Sequence, residues 1–270
     1  MIKGKPPFPF KTIALGVAFS PNLAELVAET KRLCRIHNAG AIFIHVGKKT
    51  SEKQRTLTEL LLQSEFNDGN SRIYWEPDEA VTSFLRICKH EVVDLLIVGA
   101  SERNNFSPPA GKLMRTLAVK SKCSLLIFAK PPSGGFKKIG VGNSDSRKME
   151  LTIQTAMYFA EKENISEVLF IDESVNPDPE QSNPFENLFQ NDAGNTLTET
   201  KINIRTVWLI DENCSTISEF AFRNKLDLLA VNSTDHSFLI FDRIPGKDKI
   251  EYLLNELKTN LLIVHARLPK

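Results

Sequence analysis

The sequence predicts an α/β protein made of two tandem, open, parallel five-stranded sheets, each flanked by helices. Three observations carry that reading. Apolar runs of four to six residues alternate with longer stretches of helical periodicity, the pattern of strands joined by crossover helices. Runs such as LLIVG (Leu95–Gly99) and LLIFA (Leu125–Ala129) are continuously apolar, as strands buried on both faces are. The order of elements also repeats with matching residues. Trp75 and Trp208 stand 133 positions apart, as do Asp94 and Asp227, which open DLLIV and DLLAV. GVAFS (Gly16–Ser20) matches GVGNS (Gly140–Ser144) at an offset of 124, and LLIF from Leu125 matches LLIV from Leu261 at 136. Four such matches in one order point to duplication.

In the first half the predicted strands are Thr12–Val17, Ala41–Val46, Arg72–Trp75, Leu95–Gly99 and Leu125–Ala129. Helical periodicity between them covers Asn22–His37, Glu52–Ser64, Glu79–His90 and Gly111–Lys120. In the second half strands are expected at Lys138–Val141, Val168–Ile171, Ile204–Leu209, Leu228–Val231 and Leu261–Val264. Helices are expected at Arg147–Lys162, Asn213–Arg223 and Lys247–Lys258. The prolines and glycines of KPPSGGFK (Lys130–Lys137) break both kinds of structure, which sets halves at 1–130 and 138–270 with a linker at 131–137. Ser174–Thr200, rich in Asn, Asp, Pro and Glu, reads as a surface excursion replacing a compact helix.

A chain of 270 residues fits about two domains of roughly 150 each. Its net charge of +1 argues against a nucleic-acid binder with a broad basic surface. No stretch approaches the roughly 18–20 apolar residues of a membrane helix, and MIKGKPPFPFK has no apolar core of a signal peptide, so a soluble cytoplasmic protein is expected. Cys34, Cys88, Cys123 and Cys214 are too dispersed for a zinc site and read as free thiols of a reducing compartment. No metal site is expected, since none of the five histidines falls in a HExxH or similar spacing.

The element order, ending each half with a glycine-containing loop, a helix and an apolar strand, resembles the universal stress protein family over nearly the whole chain, in two copies. The resemblance implies adenine nucleotide alpha hydrolase-like sheets of strand order 3-2-1-4-5. It places an ATP or AMP over the carboxyl ends of strands 1 and 4, the topological switch point. Nucleotide-binding members carry an Asp after strand 1, and after strand 4 Gly, two residues, Gly, nine residues, then Gly-Ser or Gly-Thr. Here Ala18 holds the Asp position, Gly99 matches the first glycine, Glu102 takes the second, and Gly111-Lys112 ends a loop one residue short. The implied nucleotide-binding residues are Gly16, Val17, Ala18, Val46, Val98, Gly99, Ser101, Arg103, Gly111, Lys112 and Leu113. In the second half Gly142 and Asn232 replace the key positions and only Gly246-Lys247 persists, so no nucleotide is expected there. Neither Gly-Lys pair completes a P-loop, because Leu113 and Asp248 follow in place of Ser or Thr.

No catalytic residue is predicted. Ser20 and Ser144 lack a nucleophile elbow and read as helix N-caps. Asp172 and Glu173, adjacent on a strand, point to opposite faces. His45 and His265 lie near strand ends and read as structural histidines or pocket liners, and both tryptophans read as packing residues. The function expected is a stress-response regulator with an adenine nucleotide in the first half. Its alternatives are an interaction module without nucleotide and a nucleotide-handling hydrolase. The resemblance further implies pairing of the two final strands within one chain, a pseudo-dimer, with a homodimer of chains as a further level of assembly.

Overall fold

The computed structural model describes residues 8–66, 71–100, 109–130, 134–142, 149–172, 202–209, 216–232 and 259–265, with the backbone alone for 109–112. The first half runs β1 (Thr12–Gly16), α1 (Leu23–His37), β2 (Gly40–Val46), α2 (Ser51–Gln63), β3 (Ser71–Glu76), α3 (Ala80–His90), β4 (Leu95–Gly99), α4 (Pro109–Lys120) and β5 (Ser124–Phe128). The second runs β6 (Ile139–Gly142), α5 (Met149–Lys162), β7 (Glu167–Asp172), β8 (Asn203–Trp208), α6 (Ile217–Arg223), β9 (Leu228–Asn232) and β10 (Asn260–Val264). All ten predicted strands are present at nearly the predicted bounds. The helix expected at 247–258, the excursion at 174–200 and Cys214 lie outside the described residues.

Each half has the strand order 3-2-1-4-5, and the two sheets are joined edge to edge. The result is one ten-stranded sheet, β3-β2-β1-β4-β5-β10-β9-β6-β7-β8. Every pairing is parallel except the junction, where β10 runs antiparallel to β5 with Leu261 opposite Ile127, Leu262 opposite Leu126 and Ile263 opposite Leu125. This register keeps the faces continuous. Leu126 and Leu262 point into one core layer, and Leu125, Ile127, Leu261 and Ile263 into the other. A slip by one residue would send every side chain of one half to the wrong face.

Each of those layers draws on both halves: α1, α2 and α5 cover one face, and α3, α4 and α6 the other. α1 shows why it sits where it does: Leu23, Leu26, Val27, Thr30, Leu33, Cys34 and His37 form a buried stripe at helical spacing. Across the boundary between halves, Arg32 of α1 makes paired hydrogen bonds to Glu163 just beyond α5, at 2.6 and 2.7 Å, and to Glu29 at 2.6 and 2.7 Å. Burial raises the Glu29 carboxyl against the opposing pull of Arg32. Beside this cluster, His37 lies under Tyr158 and edge-on to Phe10 and Phe159, its Nδ1 3.2 Å from the Tyr158 hydroxyl.

The duplication extends into the backbone. Asp94 Oδ2 accepts from the N–H groups of Lys11 and Thr12 at 2.6 and 3.0 Å, gripping the chain as it enters β1. Asp227 Oδ2 does the same for Lys137 and Lys138 ahead of β6, at 2.9 Å each. The turns after α1 and α5 use left-handed Asn38 and Asn164, and those after α3 and α6 use left-handed Val92 and Lys225. Cys34, Cys88 and Cys123 are buried free thiols.

Two predictions follow from these contacts. Asp94→Ala leaves two strand-entry N–H groups without their acceptor and should cost about 1–3 kcal/mol in urea unfolding, as should Asp227→Ala. Burial, with help from Lys162 and Arg32, lowers the His37 pKa from 6.5 to about 3. The unfolded chain therefore takes up a proton below pH 6.5 that the folded chain refuses, and stability falls as pH drops from 6.5 toward 3. Urea midpoints measured across that range should show a shallower decline in His37→Phe.

Candidate functional site

β1 pairs in parallel with both β2 and β4, so the order in which strands are added reverses at β1, and in open α/β sheets such a switch point forms a crevice over the strands' carboxyl ends. Val17 and Ala18 follow β1 directly: Val17 is buried with its N–H donating to Ile44 O at 2.8 Å, while Ala18 is exposed. Val46 ends β2, and Val98 and Gly99 end β4. Gly111, Lys112 and Leu113 fall in the opening turns of α4, which begins at Pro109, and Leu113 packs on the core beneath. Ser101 and Arg103 lie outside the described residues.

Both glycines of the crevice have a packing reason for lacking a side chain. A Cβ on Gly99 would stand 2.7 Å from Leu26 Cδ1, and one on Gly16 would stand 3.1 Å from the Phe84 ring. Position 18 is a methyl group, so it offers no acceptor to a ligand hydroxyl. Among the second-half counterparts, Gly142 packs against Ile217 and Val231, and Asn232 is buried.

Sequence reasoning missed a cluster next to this crevice, over the ends of β1, β2 and β3. Phe19, His45 and Trp75 contact one another, with Phe19 and Trp75 stacked at 6.3 Å and His45 edge-on to both. His45 is buried, and its Nδ1 lies 2.8 Å from Val17 O, so that nitrogen carries the proton and Nε2 is an acceptor. Lys53 Nζ is 3.3 Å from Nε2 and 5.5 Å from the Phe19 ring centre, and Lys49 Nζ is 5.6 Å from that of Trp75. The one legible signal was His45 at a strand end. Trp75 packs as expected but also forms part of this wall.

Ser20 is not the helix cap expected of it. Asn22 holds that position, and the Ser20 hydroxyl donates to Asn22 Oδ1 at 2.6 Å, because the chain makes one further turn before α1. Ser144 and Glu173 lie outside the described residues. His265 is buried at the end of β10, its N–H donating to Ser124 Oγ at 3.3 Å. Among the described residues no group of three His, Cys, Asp or Glu is placed to hold a metal ion, and no helix is long and apolar enough to cross a membrane.

No family model matches the sequence, and no curated protein matches it significantly. Solved structures do resemble it over both halves. A Pseudomonas aeruginosa protein assigned to the universal stress proteins matches with a TM-score of 0.64 at 13% identity, covering 96% of this chain and 94% of that one. A universal stress protein from Archaeoglobus fulgidus matches with a TM-score of 0.58 at 12% identity, covering 94% and 96%. The cytoplasmic domain of a prokaryotic cation chloride cotransporter matches with a TM-score of 0.58 at 12% identity, covering 96% of each chain. The chain thus has an adenine nucleotide alpha hydrolase-like α/β fold. More narrowly, it has the tandem form of the universal stress protein fold.

The Gly99 contact yields a test of packing against ligand roles. Gly99→Val should destabilise the fold by about 1–3 kcal/mol through overpacking against Leu26. In a double-mutant cycle, Leu26→Ala together with Gly99→Val should be less destabilised than the two single losses combined.

Proposed function

We propose that this protein is a tandem universal stress protein, a soluble cytoplasmic stress-response regulator that works through ligand-dependent shape and partner choice rather than catalysis. The observation that carries this reading is the antiparallel β5–β10 junction. It joins two 3-2-1-4-5 sheets as a dimer of single units would be joined, and the likeness to two-unit stress-protein structures runs the length of both chains. Residues 1–130 and 138–270 form the two units, 131–137 connects them, and the chain is its own pseudo-dimer.

The ligand of the first half in this reading is ATP or AMP at the β1–β4 crevice. The backbone frame suits it: β1 and β4 end at Gly16 and Gly99 at the switch point, and α4, the next helix after β4, has Gly111 in its opening turn, where N–H groups without helical partners favour a phosphate. The side-chain frame suits it less well, because Ala18 supplies no carboxylate to the adenosine part. Phosphate contacts, with Lys112 as the cation, therefore supply most of the affinity in this account. A second reading, an interaction module without nucleotide, draws support from Ala18 and buried Asn232 and from the occurrence of the same fold in a cotransporter's cytoplasmic domain.

Mass spectrometry of small molecules released from protein purified without added nucleotide separates the two. The nucleotide reading predicts one adenine nucleotide per chain, lost in Gly111→Trp. No bound nucleotide, together with no heat on titrating ATP or AMP at millimolar concentration, contradicts it and leaves the interaction module.

A further inference from the structure

The aromatic cluster over β1–β3 has features that packing alone does not explain. Six non-glycine residues among those described have left-handed backbone, and five of them end a helix: Asn38, Glu65, Val92, Asn164 and Lys225. The sixth, Phe19 at φ 52, follows a strand. A bulky residue held there is strained, and such strain persists where the surroundings impose a particular side-chain position. Its effect here is to set the Phe19 ring against His45 and Trp75.

The cations beside it are placed with equal specificity. Gly47, at φ 131, makes a turn that side-chain-bearing residues rarely adopt, and its N–H donates to Glu76 O at 2.7 Å. That turn carries Lys49 over Trp75, leaves Lys48 exposed beside it and leads into α2, where Thr50 accepts from Lys53 N–H at 3.3 Å. Among the described residues no ion pair holds Lys48, Lys49 or Lys53. Of the carboxylates nearby, Glu76 pairs with Arg86 and Glu79 caps α3, while Glu52 in the first turn of α2 and Asp78 after β3 make no ion pair with these lysines among the described residues. Lys53 Nζ lies against His45 Nε2 and the Phe19 ring and 3.5 Å from Lys48 O, none of which carries a negative charge. Three ammonium groups near one helix start, with only Glu52 in the same turn to offset them, favour an anion placed among them.

We propose that Lys49 and Lys53, with Lys48 at the rim and Phe19 and Trp75 as walls, form a binding site for a compact phosphate or diphosphate group. The site lies beside the β1–β4 crevice and uses none of Gly99, Gly111 or Lys112, so it stands whether or not a nucleotide binds there. The buried His45 is a positioning residue that aims Lys53.

Trp75 provides the readout, since the chain has two tryptophans and Trp208→Phe leaves it alone. Inorganic pyrophosphate, titrated at ionic strength held constant with sodium chloride, should give a saturable change in Trp75 emission. Lys49→Ala and Lys53→Ala should each weaken the response about tenfold or more while leaving thermal melting unchanged. The response should persist in Gly111→Leu, and AMP should elicit it less strongly than pyrophosphate. No saturable change, or an undiminished one in both lysine variants, overturns the proposal. Loss of the response in Gly111→Leu would place the phosphate at α4 and overturn it equally.

Discussion

The antiparallel pairing of β5 with β10 is the constraint on which the rest of the molecule depends. Each is the last strand of its half, and each would otherwise be an apolar edge of five buried residues. Such an edge carries unpaired N–H and C=O groups and invites association. Satisfying both edges with each other removes the hazard within one chain. It also determines how the helices meet: because the sheet is continuous, α1 and α5 come close enough for Arg32 to reach Glu163 and for His37 to lie under Tyr158. The ion cluster and the aromatic cluster therefore lock a junction that the backbone ladder defines.

The two halves have kept what their strands require and diverged where a ligand would sit. Asp94 and Asp227 perform the same task at strand entry, and the left-handed turns recur at matching places. Over the strand ends the halves differ. The first has a switch-point crevice floored by Gly16 and Gly99 and a basic aromatic patch next to it, while the second offers Gly142 and Asn232 at the corresponding positions. Framework residues are constrained by backbone hydrogen bonds that any working copy must make.

Strands were legible in the sequence because buried parallel strands are continuous apolar runs, and the repeat because Trp, Asp and Gly recur in order. The role of Asp94 was not legible, since its partners Lys11 and Thr12 lie more than eighty residues away. Nor was the aromatic cluster: Phe19, His45 and Trp75 follow or belong to three different strands and meet only through the register that sets His45 opposite Trp75. Ser20 was misread as a cap because the spacing from β1 to α1 hides an extra turn. At the crevice, motif matching found Gly99, but only coordinates show that Leu26 occupies the space a side chain would need.

Native-state hydrogen exchange tests the central claim most directly. If the β5–β10 junction makes one cooperative sheet, the amides of Leu125–Ile127 and Leu261–Ile263 should exchange only through global unfolding, with the same denaturant dependence as those of β4 and β9. Exchange of the junction amides through a lower-energy opening, with β1–β4 and β6–β9 still protected, would show two separable halves and contradict the account.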